Sequence, residues 1–257
     1  MIEALFHELT ELPQVEAIAL GGSRATMRFD EKSDYDIYLY CTAPIDEAVR
    51  RNILSRYCSY MEIGNHFWEY EDNCTLNNGI DIDILYRNLD DFSAGVADVV
   101  EHFRASNGYT TCMWHNLLNC KIICDKFGRL VAAKQRFDVP YPPQLKENII
   151  NRSRELLYTA MPAYRLQIVK AAQRDDKISI NHRVAAFMEA YFDLLFALNE
   201  KTHPGEKRLI SICLDVCSIL PANFEKNLNR LLADLFTAPE HIPNDLDVII
   251  HELEIII

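Results

Sequence analysis

Residues 21–40 read GGSRATMRFDEKSDYDIYLY, and the fold turns on how this stretch begins and ends. Upstream, Val15–Leu20 (VEAIAL) is a short apolar β-like run that stops at Gly21 and Gly22. Downstream, Tyr35–Tyr40 is a second run of aliphatic and aromatic residues, entered after the charged turn DEKSD at 30–34. Asp34 and Asp36 stand one residue apart at its start. On an extended strand they point to the same face, where two carboxylates repel unless something positive sits between them. The Gly-Gly-Ser turn is the complement of such a face. Glycines let a backbone approach a phosphate closely, and N–H groups at a helix start favour anionic oxygen. Ser23 is suited to cap a short helix from Arg24 onward.

Around this centre the chain punctuates clearly. Ile2, Leu5, Phe6, Leu9 and Leu12 repeat at helical spacing until Pro13. Pro44 opens a helix expected to run to about Tyr60. His66–Tyr70 and Ile80–Tyr86 read as two more strands, with NNG as the turn before the second. From Leu89 the period is helical to the end of the chain, over 89–105, 110–124, 143–160, 163–174, 180–199, 206–219, 222–236 and 244–256. The cluster PYPP at 140–143 is the strongest break. The expected organisation is α+β. An α/β domain at 1–105, built on a mixed sheet flanked by helices, is followed by a helical bridge at 106–143 and a helical bundle domain at 144–257.

Composition bounds the function. With 257 residues, 49% hydrophobic and 25% charged, the chain reads as a globular protein with a sizeable core. A formal net charge of −12 argues against a nucleic-acid-wrapping surface, which needs lysine and arginine in excess. The opening MIEALFHELTELPQ is amphipathic and acidic, unlike a secretory signal. No stretch has the length of a membrane span. Eight cysteines scattered through apolar segments read as reduced thiols, hence a cytoplasmic protein. Cys120 and Cys124, like Cys213 and Cys217, stand four apart; core thiols explain them better than zinc, which wants tighter pairs and well-placed histidines.

The second acidic strand lies in GIDIDILYR, 79–87, where Asp81 and Asp83 alternate with Ile80, Ile82 and Ile84. One face of this strand is aliphatic and the other carries carboxylates. If it lies beside 35–40, three or four acids converge on one patch of sheet, destabilising unless cations join them. Mg²⁺ prefers such hard oxygen ligands. Two ions about 3.5–4 Å apart can clamp the attacking and leaving oxygens of an in-line phosphoryl displacement.

GGSRA, then DYDIYLY eleven residues after Ser23, then DIDILYR together resemble the polymerase-β-like nucleotidyltransferase superfamily, in its aminoglycoside and lincosamide nucleotidyltransferase branch. The resemblance covers 15–90 and implies roles residue by residue. Gly22 and Ser23, with Arg24 beside them, face the nucleotide phosphates. Asp34 and Asp36 hold both metals, and a third carboxylate holds the catalytic one. The Asp-x-x-Tyr-Arg spacing selects Asp83 for this place, with Asp81 the alternative. The segment CDKFGRLVAAKQRFDVPYPPQLKENII resembles the stretch bridging the two domains of that branch. FALNEKTHPGEKRL resembles its C-terminal motif, in which a lysine reaches the phosphates; that lysine is Lys207, with Arg208 second.

The implied activity is transfer of a nucleoside monophosphate, AMP from ATP or the corresponding group of another NTP, to a hydroxyl of a small molecule, with two Mg²⁺ and release of pyrophosphate. The acidic surface favours a cationic acceptor, such as an aminoglycoside, over tRNA. Protein or tRNA acceptors and a non-catalytic nucleotide-binding module are the rival readings. Glu189 and Asp193, four apart on a nearly all-apolar helix, are the places to look for a base in the helical part, against the plainer reading of interhelical ion pairs.

Overall fold

The computed structural model of the chain describes residues 2–25, 33–67 and 69–257. Residues 30–32 of the charged turn and Trp68 in the expected strand 66–70 lie outside the described residues. The chain divides into two compact units, Met1–Ala97 with Asn116–Val139, and Asp98–His115 with Pro140–Ile257.

The first unit begins with α1 (Ile2–Glu11), whose Leu5, Phe6 and Leu9 are buried. It continues through β1 (Val15–Leu20), the single turn α2 (Gly22–Ala25), β2 (Tyr35–Cys41) and α3 (Glu47–Leu54). Three strands follow, β3 (Cys58–Asn65), β4 (Glu71–Leu76) and β5 (Asp81–Arg87), and then α4 (Leu89–Val100). After α5 (Cys112–Asn119) the chain re-enters the sheet as β6 (Lys121–Asp125) and closes with α6 (Arg129–Phe137). The six strands lie in the order β3-β4-β5-β2-β1-β6. Only the β2–β5 pair is parallel; the others are antiparallel. With neighbours on both sides, β1 is buried at every residue, including Glu16, which accepts from Arg129 Nη1 at 2.8 Å.

The α+β architecture is the one expected, but three elements differ from the sequence reading. The helix after Pro44 ends at Leu54, and Cys58–Asn65 is an edge strand where that helix was expected to continue. The described residues of 66–70 form a connection, and the strand begins at Glu71. Residues 121–125 are strand, where a helix was expected through 124. Each missed strand has a physical reason. At the edge, β3 buries only Cys58 fully, so no alternation marks it. In β6, five residues of KIICD are too few to show a period.

The second unit is helical. Its elements are α7 (Pro143–Arg154), continued by a π turn at Glu155–Thr159, α8 (Tyr164–Ala172), α9 (Lys177–Leu198), α10 (Leu209–Val216), α11 (Phe224–Thr237) and α12 (Ile242–Glu254). Pro143 occupies the first turn of α7, where its missing N–H costs nothing. Asp176 caps α9 by accepting from Ser179 N. From Ala190 to Leu198 every residue of α9 is buried, which makes it the central helix of this unit, packed by α7 and α8. No helix among the described residues is long and apolar enough to cross a membrane.

On the core face of the first unit lies a buried ion pair, Arg50 of α3 with Asp72 of β4, at 1% and 0% side-chain exposure. Asp72 also accepts from Gly64 N at 2.8 Å and from the Tyr86 hydroxyl at 2.8 Å. Arg50 donates to the Tyr70 hydroxyl and lies over the rings of Tyr70 and Tyr86. Breaking such a pair strands a charge in a low-dielectric interior. Asp72→Leu is therefore expected to destabilise the fold by about 3–5 kcal/mol in urea denaturation. Adding Arg50→Met should recover part of that loss, because no charge is then left unpaired.

Candidate functional site

The site is set by register. Along the parallel β2–β5 pair, Asp36 stands opposite Asp83, with Tyr35 opposite Ile82 and Ile37 opposite Ile84. Ile37, Ile82 and Ile84 go to the core, so Asp36 and Asp83 share the other face, side by side. Asp34 lies two residues before Asp36, just outside β2. One carboxylate oxygen from each of the three lies within 4.8 Å of the others, and all three side chains are half-buried. This is the one group of three or more potential metal-ligating side chains among the described residues.

The turn after β1 sits directly against this cluster. Gly21 N donates to the backbone oxygen of Asp36 at 2.7 Å, and Ala25 N returns to Gly21 O at 3.2 Å. Gly22 has a left-handed φ of +59°, and a Cβ there would lie 1.7 Å from Asp36 Oδ2. A Cβ on Gly21 would lie 2.3 Å from the Tyr38 hydroxyl. Gly22 is thus needed both for its backbone conformation and for its close approach to β2, and Gly21 for close approach alone. Helix α2 starts at Gly22, so Ser23 lies within its turn, half-buried, and is not the cap expected.

Arg24 does not point away from the strand. Its Nε donates to the backbone oxygens of Ser33 at 2.8 Å and Asp34 at 3.0 Å, and its guanidinium lies 3.9 Å over the Tyr35 ring. It thereby fixes the entrance to β2, where Asp34 sits. Asp81 is exposed and accepts from Thr75 Oγ1 at 2.8 Å. Asp83 accepts from Asn73 Nδ2 at 2.7 Å.

Further along the same face, Arg87 of β5 is 8% exposed and makes two bonds to Glu69, at 2.8 and 2.6 Å. Its guanidinium lies 4.1 Å over the Tyr38 ring and 5.0 Å over Phe92. Burial pushes the Tyr38 hydroxyl up to about 12, with the Arg87 charge pulling the other way. Asn73 is not legible in the sequence, because EDNCTL shows no strand period and its position opposite Asp83 follows only from the register.

The other sequence candidates belong to the second unit. Lys207 and Arg208 are exposed, and Arg208 adopts a left-handed φ of 58° at the start of α10. Glu189 is half-buried, and burial raises its pKa. Asp193 is 1% exposed and accepts twice from Thr110, from N at 3.0 Å and from Oγ1 at 2.6 Å. It is an anchor rather than an interhelical ion pair. Next to it, Thr111 Oγ1 accepts from His203 N, and the buried His203 imidazole is pushed down to about 3 by desolvation and by neighbouring His115. These bonds tie residues 110 and 111 to α9 and to the segment after it.

Over residues 110–209 the chain matches a family model described as a domain of unknown function (DUF4037). No curated relative matches it in sequence. Among solved structures it is similar to a nucleotidyltransferase-like protein from Exiguobacterium sibiricum, at 11% identity and a TM-score of 0.42, over 100% of this chain and 74% of that one. It is also similar to an aminoglycoside 6-adenyltransferase from Bacillus subtilis, at 10% identity and a TM-score of 0.31, over 99% and 90%. A third is the Thermotoga maritima CCA-adding enzyme complexed with tRNA, at 13% identity and a TM-score of 0.31, over 99% and 81%.

Two stability measurements check this geometry. Gly22→Ala is expected to cost about 1–2 kcal/mol from its left-handed backbone alone, plus the clash with the Asp36 carboxylate. In a double-mutant cycle by urea denaturation, that extra cost should vanish in an Asp36→Ala background. The second concerns Asp193, whose pKa burial raises from 3.8 to about 6, against the two Thr110 bonds. The folded value lies above the unfolded one, so the native state holds this proton more tightly. The contribution is full below about pH 4 and is lost as pH rises through about 6. The stability of the wild type relative to Asp193→Asn should therefore fall by on the order of 2–3 kcal/mol between pH 4 and 7, and level off above. His203 titrates in both proteins and cancels from the difference.

Proposed function

We propose that the chain is a metal-dependent nucleotidyltransferase, transferring AMP from ATP to a hydroxyl of a small-molecule acceptor and releasing pyrophosphate. The observation that carries this reading is the convergence of Asp34, Asp36 and Asp83 within 4.8 Å beneath the Gly-Gly-Ser turn. The donor set fits Mg²⁺. It is made only of carboxylate oxygens, two of them on strands whose pairing fixes their spacing and the third at the entrance to β2. When bound, Mg²⁺ at such a site neutralises phosphate charge and lowers the pKa of a coordinated hydroxyl.

In this reading Asp34, Asp36 and Asp83 are the ligands, and Asp83 lies nearest the acceptor hydroxyl. The backbone N–H groups at Gly22 and Ser23, with the Ser23 hydroxyl, orient the phosphates of the nucleotide. Arg24, bonded to Ser33 and Asp34 oxygens, keeps the first carboxylate in place. Lys207 is assigned to phosphate binding from the resemblance of its motif. A net charge of −12 favours a neutral or cationic acceptor over a polyanion, so hydroxylated amines such as aminoglycosides come first in a screen.

Pyrophosphate release on mixing with ATP, Mg²⁺ or Mn²⁺ and pooled acceptors tests the reading. Asp36→Asn and Asp83→Ala should each lower turnover by two or more orders of magnitude at saturating ATP, roughly the scale of a lost transition-state contact. Asp81→Ala should lose far less, since its carboxylate is held by Thr75 outside the cluster. Turnover in Asp36→Asn near that of the wild type would overturn the assignment.

A further inference from the structure

Asp83 is held by a chain of side-chain amides whose direction is forced. Asn73 of β4 is its cross-strand neighbour, and Asn73 Nδ2 donates to Asp83 Oδ1 at 2.7 Å. The other end of the same amide, Oδ1, accepts from Asn65 Nδ2 at 2.6 Å. Asn65 Nδ2 also donates to Glu62 Oε2 at 3.1 Å. Asn65 reaches this position because the β3–β4 register shifts between Glu62 and Asn65.

An ionised carboxylate only accepts hydrogen bonds. With Glu62 at one end, Asn65 must present its NH₂, so Asn73 must offer its oxygen to Asn65 and its NH₂ to Asp83. An Asn73 amide turned the other way would set oxygen against oxygen at Asp83 and NH₂ against NH₂ at Asn65. The donor that reaches Asp83 is neutral. A lysine or arginine in its place would hold the carboxylate equally well, but would compete with a cation for its charge.

We infer that Asn73, oriented by Asn65, is a positioning residue that locks the rotamer of Asp83 and directs its Oδ2 to the metal. The inference rests on the nucleotidyl-transfer reading. Thr75 supplies an internal control. It donates to Asp81 from the same strand across the same ladder, yet Asp81 lies outside the cluster.

Mn²⁺ binding in the presence of a nonhydrolysable ATP analogue, followed by electron paramagnetic resonance on the full chain, tests it without turnover. Asn73→Ala should weaken binding about 10–100-fold, the usual effect of removing a partner that orients a ligand. Asn65→Ala should weaken it by a smaller factor, and Thr75→Ala should leave it unchanged. If Asn73→Ala fails to fold, Asn65→Ala decides, since Asn65 lies at the end of the edge strand. Wild-type affinity in both Asn73→Ala and Asn65→Ala, or an equal loss in Thr75→Ala, would overturn the inference while leaving the nucleotidyl-transfer reading intact. No Mn²⁺ binding by the wild type, or equal binding by Asp36→Asn, would remove that reading and the inference with it.

Discussion

The in-register pairing of β2 with β5 places Asp36 beside Asp83, and the rest of the first unit accommodates that juxtaposition. Two carboxylates 4.8 Å apart, the outer limit of the cluster, repel by roughly 1 kcal/mol in a water-like dielectric and about 3 at an effective dielectric of 20. Asp34 adds two more such pairs. A strand slip of one residue would relieve the repulsion by moving Asp83 to the other face, but it would also turn Ile82 and Ile84 out of the core. Burying one aliphatic side chain is worth about 1.5–3 kcal/mol. The isoleucines therefore hold the acids together, and the alternation in GIDIDILYR specifies both sides of that balance.

The same pairing explains the glycines. Gly21 N bonds the backbone of Asp36, and Gly22 lies against its carboxylate. The turn is thus built onto the acidic strand by a main-chain bond rather than merely placed near it. With Arg24 bonded back to Ser33 and Asp34, both ends of the connection between α2 and β2 are fixed to one small region. In the proposed reading, donors for phosphate and ligands for a cation are then neighbours by construction, which is what electrostatic preorganisation requires.

How much of this was legible follows from how each segment earns its burial. VEAIAL, DYDIYLY and DIDILYR form the interior of the sheet, and their apolar faces are strong enough to read. The acidic cluster was legible with them, because an acid that interrupts an apolar strand advertises the exposed face. The strands β3 and β6 lie at the two edges, where one side of the ladder and much of the face meet solvent, so their sequences carry no period. β4 was hidden for another reason. Its core face holds Asp72 and its site face Glu71 and Asn73, and a strand that is polar on both faces defeats a hydrophobicity pattern. That polarity is structural on one side, through Arg50, and directed toward Asp83 on the other. Asp193 was legible as a buried acid, but its partner Thr110 lies 83 residues away and no local pattern could name it.

The contrast between Asp72 and Asp83 shows how one sheet can treat two acids oppositely. Asp72 is fully buried and paired with a guanidinium, so its charge is consumed by the fold. Asp83 stands across the adjacent ladder, half-buried, and its bond comes from a neutral amide. Asp81, one pleat away, is likewise held by a neutral hydroxyl. The guanidinium on that face of β5, Arg87, lies four residues along from Asp83, about 13 Å on an extended strand, and Glu69 already takes both of its bonds. Such a distribution fixes the direction of Asp83 without neutralising it. A fold optimised only for stability would place a cation there, as it does for Asp72. Leaving the charge in place keeps the carboxylate available to a ligand that supplies positive charge from outside.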